Sequence, residues 1–113
     1  MKAIIEVAAR NSVFDAALAD LNNGSADYHL SFESARSLFS EITPARLDLL
    51  GVLRQTGPCS VYALAKAAGR NYSNVHADVA GLAELNLIER TDDDAVFVPF
   101  EAVEIRMALP QAA

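Results

Sequence analysis

The apolar positions of the chain change period several times, and each change marks an element. Residues 3–8 (AIIEVA) are a short apolar run that predicts a strand. Ser12 then stands as an N-cap before Phe14, Ala17, Leu18 and Leu21, whose i, i+3, i+4, i+7 spacing is one face of a helix. Asn23-Gly24 ends it, because both residues tolerate the left-handed backbone that follows a helix. Tyr28, Leu30 and Phe32 alternate with His29 and Ser31, the pattern of a half-buried strand. Ala35, Leu38, Phe39 and Ile42 return to helical spacing. Residues 1–42 therefore predict a β-α-β-α extension, too small to bury a core alone and expected to pack on the rest of the chain or on a second copy.

From residue 43 the signals sharpen. Thr43-Pro44 starts a helix, with threonine capping free amides and proline at the first turn, where its missing N–H costs nothing. Leu47, Leu50 and Leu53 are its predicted inward positions, and Gly57-Pro58 ends it. Ser60 caps a short helix with Val61, Leu64, Ala65 and Ala68 inward, and Gly69 closes it. About three residues then separate it from a third helix, from about Tyr72 to Leu85, which is the tight connection of a helix-turn-helix. Val75, Val79, Leu82 and Leu85 form the inward stripe of that helix. Its opposite face offers Ser73, His76, Ala77 and Ala80, with Tyr72 and Asn74 beside them. Leu87–Arg90 and Ala95–Val98 flank the acidic turn Asp92-Asp93-Asp94 and predict a β-hairpin. Val103, Ile105, Met107 and Leu109 alternate with Glu104, Arg106 and Ala108 as a final strand; Phe100, Val103 and Met107 also fit a helix. The tail 110–113 is expected to fray.

The ordered motif Thr43-Pro44-x-Arg46, Gly57-Pro58-x-Ser60-Val61, Leu64-Ala65, Gly69-Arg70-Asn71, Val75-His76-x-Asp78-Val79, Leu82, Leu87-Ile88, Val98-Pro99 and Ile105 resembles MarR-like winged helix-turn-helix regulators. It looks closest to a small archaeal and bacterial family of DNA-binding proteins. The resemblance implies an α+β fold in which residues 43–100 form the DNA-binding domain and residues 101–113 a C-terminal strand and tail. It also implies a homodimer on duplex DNA, with the helix at 72–85 in the major groove. Some members of such families are similar to antitoxins that neutralise a toxin and repress their own operon. One departure stands out: the wing tip carries three aspartates where DNA-binding relatives carry arginine or lysine.

On this frame each candidate contact has a chemical reason. Arg70 and Asn71 stand in the turn, where a guanidinium can grip a phosphate with two hydrogen bonds. Ser73, Asn74 and His76 can address base edges and Ala77 a thymine methyl, though Asn74 also suits helix capping and His76 an ordinary exposed site. Tyr72 either bonds a phosphate or packs under the turn. Ser60 aims helix-terminal amides outward, as phosphate-holding helices do. Lys66 and Arg90 are further phosphate candidates, or simply solvated. Asp78 would repel phosphate, so it is expected to turn sideways onto Arg46 or Arg70. Cys59 reads as a small buried residue, with thiol sensing as the alternative, and His29 as structural.

Charge complicates the picture. The 113 residues carry a formal net charge of −6. Residues 44–90, however, hold five basic and four acidic side chains, so the excess acid lies outside the segment expected to meet phosphate. A hydrophobic fraction of 52% supports a real core. A single cysteine permits no internal disulfide and fits a reducing compartment. No apolar run approaches the roughly 20 residues that span a bilayer, and residues 1–10 do not read as a signal peptide, so the expected location is the cytoplasm. No nucleophile–base set, phosphate loop, cofactor motif or metal spacing is legible, which argues against an enzyme. The remaining alternative is a protein-interaction module whose acidic flanks meet a basic partner such as a toxin.

Overall fold

The computed structural model describes residues 1–7 and 26–109. The predicted helix from Ser12 to Leu21, its Asn23-Gly24 end and the tail 110–113 lie outside them. The chain forms two compact units, residues 1–40 with 102–113, and residues 41–101.

The first unit contains a three-stranded sheet of β1 (Lys2–Val7), β2 (Tyr28–Phe32) and β5 (Ala102–Met107), ordered β2-β1-β5. Both pairings are parallel, with Ile5 between Leu30 and Ile105. The C-terminal segment is thus a strand, as its alternation predicts, and the competing helical spacing is not used. Because side chains alternate across a strand, register sorts the sheet into two faces. Ala3, Ile5, Val7, Tyr28, Leu30, Phe32, Val103, Ile105 and Met107 share the apolar one. Lys2, Glu6, His29, Ser31, Glu104 and Arg106 share the other with Ile4. There His29 meets Glu6 at 3.5 Å, and Lys2 meets Glu104 at 3.3 Å. Helix α1 (Ala35–Glu41) buries Leu38 but leaves Phe39 53% exposed, against the inward position its spacing predicts.

The second unit is a winged helix-turn-helix. Helix α2 (Pro44–Thr56) begins as expected, with Thr43 Oγ1 accepting from the Arg46 amide and proline in the first turn. It buries Leu49, Leu50 and Leu53, while Leu47, predicted inward, is half-buried. The stripe is centred between Leu49 and Leu53 because the run LDLLGVL is apolar over more than half the helix circumference, so spacing alone does not select its core face. Gly57 ends the helix at φ 78°, ψ −175°, a conformation that glycine alone adopts without strain. Nothing crowds its missing Cβ, so the cost of a side chain there is conformational. Gly57→Ala is expected to destabilise by about 1–2 kcal/mol, read as a lower urea midpoint at unchanged m-value.

Helix α3 (Val61–Ala68) starts at Ser60, whose Oγ accepts from the Ala63 amide, and buries Val61, Leu64 and Ala65; Ala68 is half-buried. Gly69 closes it in the left-handed conformation, φ 64°, ψ 35°. The Gly69 and Arg70 amides return to the carbonyls of Lys66 and Ala65, the paired bonds of a Schellman turn. Helix α4 (Tyr72–Glu84) follows at once, with Val75, Val79 and Leu82 buried. It too ends in paired bonds, Asn86 N to Ala83 O and Leu87 N to Leu82 O, with Asn86 at φ 61°. Leu85 therefore lies past the last turn and is half-buried, not part of the stripe.

The hairpin is present but short, β3 (Glu89–Arg90) pairing antiparallel with β4 (Val96–Phe97). The predicted strands were longer. Leu87 spends its amide on the end of α4, and Pro99 has no amide to give, which limits the ladder on both arms. Val96 also exchanges two backbone bonds with Cys59, tying the α2–α3 connection to the hairpin. Cys59 is accordingly half-buried, held by its backbone, and not the buried side chain expected of it. Among the described residues no helix is long and apolar enough to cross a membrane, and no cluster of His, Cys, Asp or Glu is placed to hold a metal.

Candidate nucleic-acid interface

The helix-turn-helix presents one continuous outward surface. On α4, Val75, Val79 and Leu82 seal the inner side. Tyr72, Ser73, Asn74, His76, Ala77 and Ala80 are all exposed on the other. The inward stripe consumes the large aliphatic positions, and what faces out is small or hydrogen-bonding. Asn71 caps the helix: its Oδ1 accepts from the Ser73 amide at 2.8 Å and the Asn74 amide at 3.3 Å. That settles the capping question for Asn74, whose side chain is left outside the cap. Ser60, at the start of α3, lies exposed as well.

A row of rings runs along the same surface. Tyr62, 62% exposed, stands 6.4 Å from Tyr72, and Tyr72 stands 5.8 Å from His76. Lys66 Nζ lies 5.7 Å above the Tyr62 ring, which holds one cation at this surface. Tyr72 thus sits between two rings in the open and is not packed beneath the turn. Tyr62 was not singled out from the sequence. Its only signal is the i, i+4 spacing to Lys66, a common pair on any solvated helix.

Residues 41–105 match the HVO_A0114 family, which is more than half of the chain. The chain belongs to this family. It is also similar to a solution NMR structure from Mycobacterium bovis, a homodimeric winged helix-turn-helix DNA-binding domain (fragment 1–100) of a possible ArsR-family transcriptional regulator. That likeness is 23% identity with a TM-score of 0.45, covering 62% of this chain and 74% of the other. No curated protein matches the chain.

In this HVO_A0114-family chain the charged residues behave differently from the polar ones. Asp78 accepts from Arg46 Nε at 3.2 Å through one oxygen and from Arg70 Nη2 at 2.8 Å through the other. The sideways pairing expected of Asp78 is therefore made with both arginines. Arg46 also donates to the Glu41 carbonyl at 2.9 Å, and its guanidinium lies across α4 at Gly81. A Cβ at Gly81 would stand 2.6–2.7 Å from that guanidinium, so a side chain there would push the flexible end of Arg46 aside. Arg70, the expected phosphate grip, is turned inward: one terminal nitrogen is bonded to Asp78, and Nη1 is buried without a partner. Arg90 is drawn to Asp94 of its own hairpin at 3.3 Å. The hairpin tip is a tight turn in which Thr91 bonds Ala95 and Asp94 adopts φ 64°, so Asp92, Asp93 and Asp94 stand exposed at the end of the wing.

Proposed function

We propose that the second unit binds duplex DNA through α4 and that the chain acts as a transcriptional regulator. The observation that carries this reading is the outward face of α4. Ser73, Asn74, His76 and Ala77 lie together, exposed and slim, at the N-terminal half of a helix whose other side is sealed. A helix entering the major groove needs such a face, because bulk would hold it off the base edges. Asn74 and His76 supply hydrogen bonds and Ala77 an apolar contact for a thymine methyl. Tyr62, Lys66, Tyr72 and the exposed Ser60 end of α3 flank them as phosphate contacts. Asn71 contributes by capping the helix that carries them. Arg70 acts through Asp78 by fixing the turn, and Arg90 stays with the wing.

The acidic tip gives the wing no electrostatic reason to enter the minor groove. It favours a second use, contact with a basic protein surface, as in the antitoxin-like members that the MarR-like motif suggests. A two-fold operator read by a homodimer fits one short recognition helix per chain.

Fluorescence anisotropy on duplexes from the chain's own upstream region, across a salt series, tests the reading. With few cations at the face, log K is expected to fall with log salt at a slope of about −2 to −4 per protomer. Asn74→Ala is expected to cost about 1–3 kcal/mol on the preferred duplex and little on an unrelated one. Absence of binding at about 50 mM salt rejects the proposal.

A further inference from the structure

We propose that two copies of this chain join edge to edge through β5, antiparallel about a two-fold axis at Ile105, to form one continuous six-stranded sheet. Among the described residues β5 is an edge of the three-stranded sheet, so every second residue turns its backbone N–H and C=O away from β1. The strand has six residues without proline. It is exposed along most of its length, with Ile105 at 39% and Met107 at 53%. Leu109, just beyond it, is 76% exposed. The opposite edge, β2, is largely half-buried. An open, apolar edge of this kind is the template on which a further strand adds.

The side chains choose both occupant and register. For the apolar and polar faces to continue from one copy into the other, residues opposite each other must share a face. Only axes through Glu104 or Ile105 also pair five of the six strand residues. The first sets glutamate against glutamate, which is destabilising. Through Ile105, Glu104 lies opposite Arg106 of the second copy, and Arg106 opposite its Glu104. Val103 then meets Met107 on the apolar face, and the two Ile105 side chains meet on the axis. Within one chain Glu104 and Arg106 already touch at 2.7 Å on the same face, so the charges that the pairing needs stand side by side. Arg106, and after it Lys2, hold the Glu104 carboxyl below the ordinary carboxylate range, which keeps that charge in place in mildly acidic solution. The strand is complementary to itself, and a second copy of this chain is the partner it fits.

The inference is independent of duplex binding, since size is measured without DNA. Sedimentation equilibrium of the full chain from about 1 to about 100 μM is expected to show a dimer. Arg106→Glu places glutamate opposite glutamate twice and is expected to weaken the dimer about tenfold or more. The exchange Glu104→Arg/Arg106→Glu restores complementarity and is expected to recover most of the loss. Ile105→Lys sets two ammonium groups on the axis and is expected to be monomeric, with circular dichroism unchanged as the check on folding. A monomeric wild type across that range, a dimeric Ile105→Lys, or an Arg106→Glu chain as dimeric as wild type overturns the proposal.

Discussion

Ala77→Glu is expected to abolish duplex binding while leaving the fold intact. Ala77 is exposed on α4, opposite the buried Val75, Val79 and Leu82. Glutamate is nearly as good a helix former as alanine, and a substitution away from core and caps changes stability by no more than about 0.5 kcal/mol. At the DNA surface the same change is severe. The carboxylate would lie between phosphate rows and face base-edge acceptors; Arg70 and Arg46 are already committed to Asp78, and Lys66 lies over the Tyr62 ring. Like charges brought together at an interface cost several kcal/mol, so the expected loss in affinity is roughly a hundredfold or more. Ala77→Gln, isosteric and neutral, should lose much less. Anisotropy on the preferred duplex and urea unfolding, run in parallel, separate the two effects. Wild-type affinity in Ala77→Glu would remove α4 from the interface.

The parts of this fold that could be read in advance are those set by local chemistry. Thr43 and Ser60 cap, Pro44 opens, and Gly57 and Gly69 close, because each role depends on a few adjacent residues. The stripe Val75, Val79, Leu82 was equally plain, since these are the only large aliphatic residues within α4 and they fall on one face. α2 has several choices of core face, and periodicity alone does not single out the buried Leu49. Long-range pairing was illegible for a different reason. β1 and β5 are separated by most of the chain, and nothing in either strand announces a parallel partner in the register Ile5–Ile105.

The interface divides along the same line. The polar face of α4 follows from periodicity, so Ser73, Asn74, His76 and Ala77 were found together. The fate of the arginines does not follow, because it depends on where flexible guanidinium groups end in space. Arg46 and Asp78 are 32 positions apart in the chain. The sequence could place Asp78 beside an arginine but could not say that one carboxylate would hold two. It also could not say that Arg70 would thereby be withdrawn from the surface where its position in the motif had put it.

That shared carboxylate leads to an expected result with opposite signs in two measurements. Asp78→Ala should lower stability and, at the same time, strengthen and steepen the salt dependence of duplex binding. The Asp78 side chain is only 18% exposed, and those of Arg46 and Arg70 18% and 30%. Removing the acid leaves two guanidinium groups partly buried without it, and Arg70 Nη1 already lacks a partner. Breaking a fully buried pair costs about 3–5 kcal/mol, and partial exposure reduces the expectation here to about 2–3 kcal/mol. Arg70, in the turn that precedes α4, and Arg46, in the first turn of α2, can then swing toward solvent. Each one that reaches a phosphate adds close to one unit to the salt slope, so the slope should become steeper by about 1–2. Asp78→Asn keeps the shape and one acceptor, and should show the same signs at smaller size. A double-mutant cycle with Arg70→Ala isolates the pair, and a coupling of at least about 0.5 kcal/mol is expected between groups in direct contact. Should Asp78→Ala leave the unfolding midpoint unchanged, the carboxylate does not hold the turn, and Arg70 returns to being a direct phosphate contact.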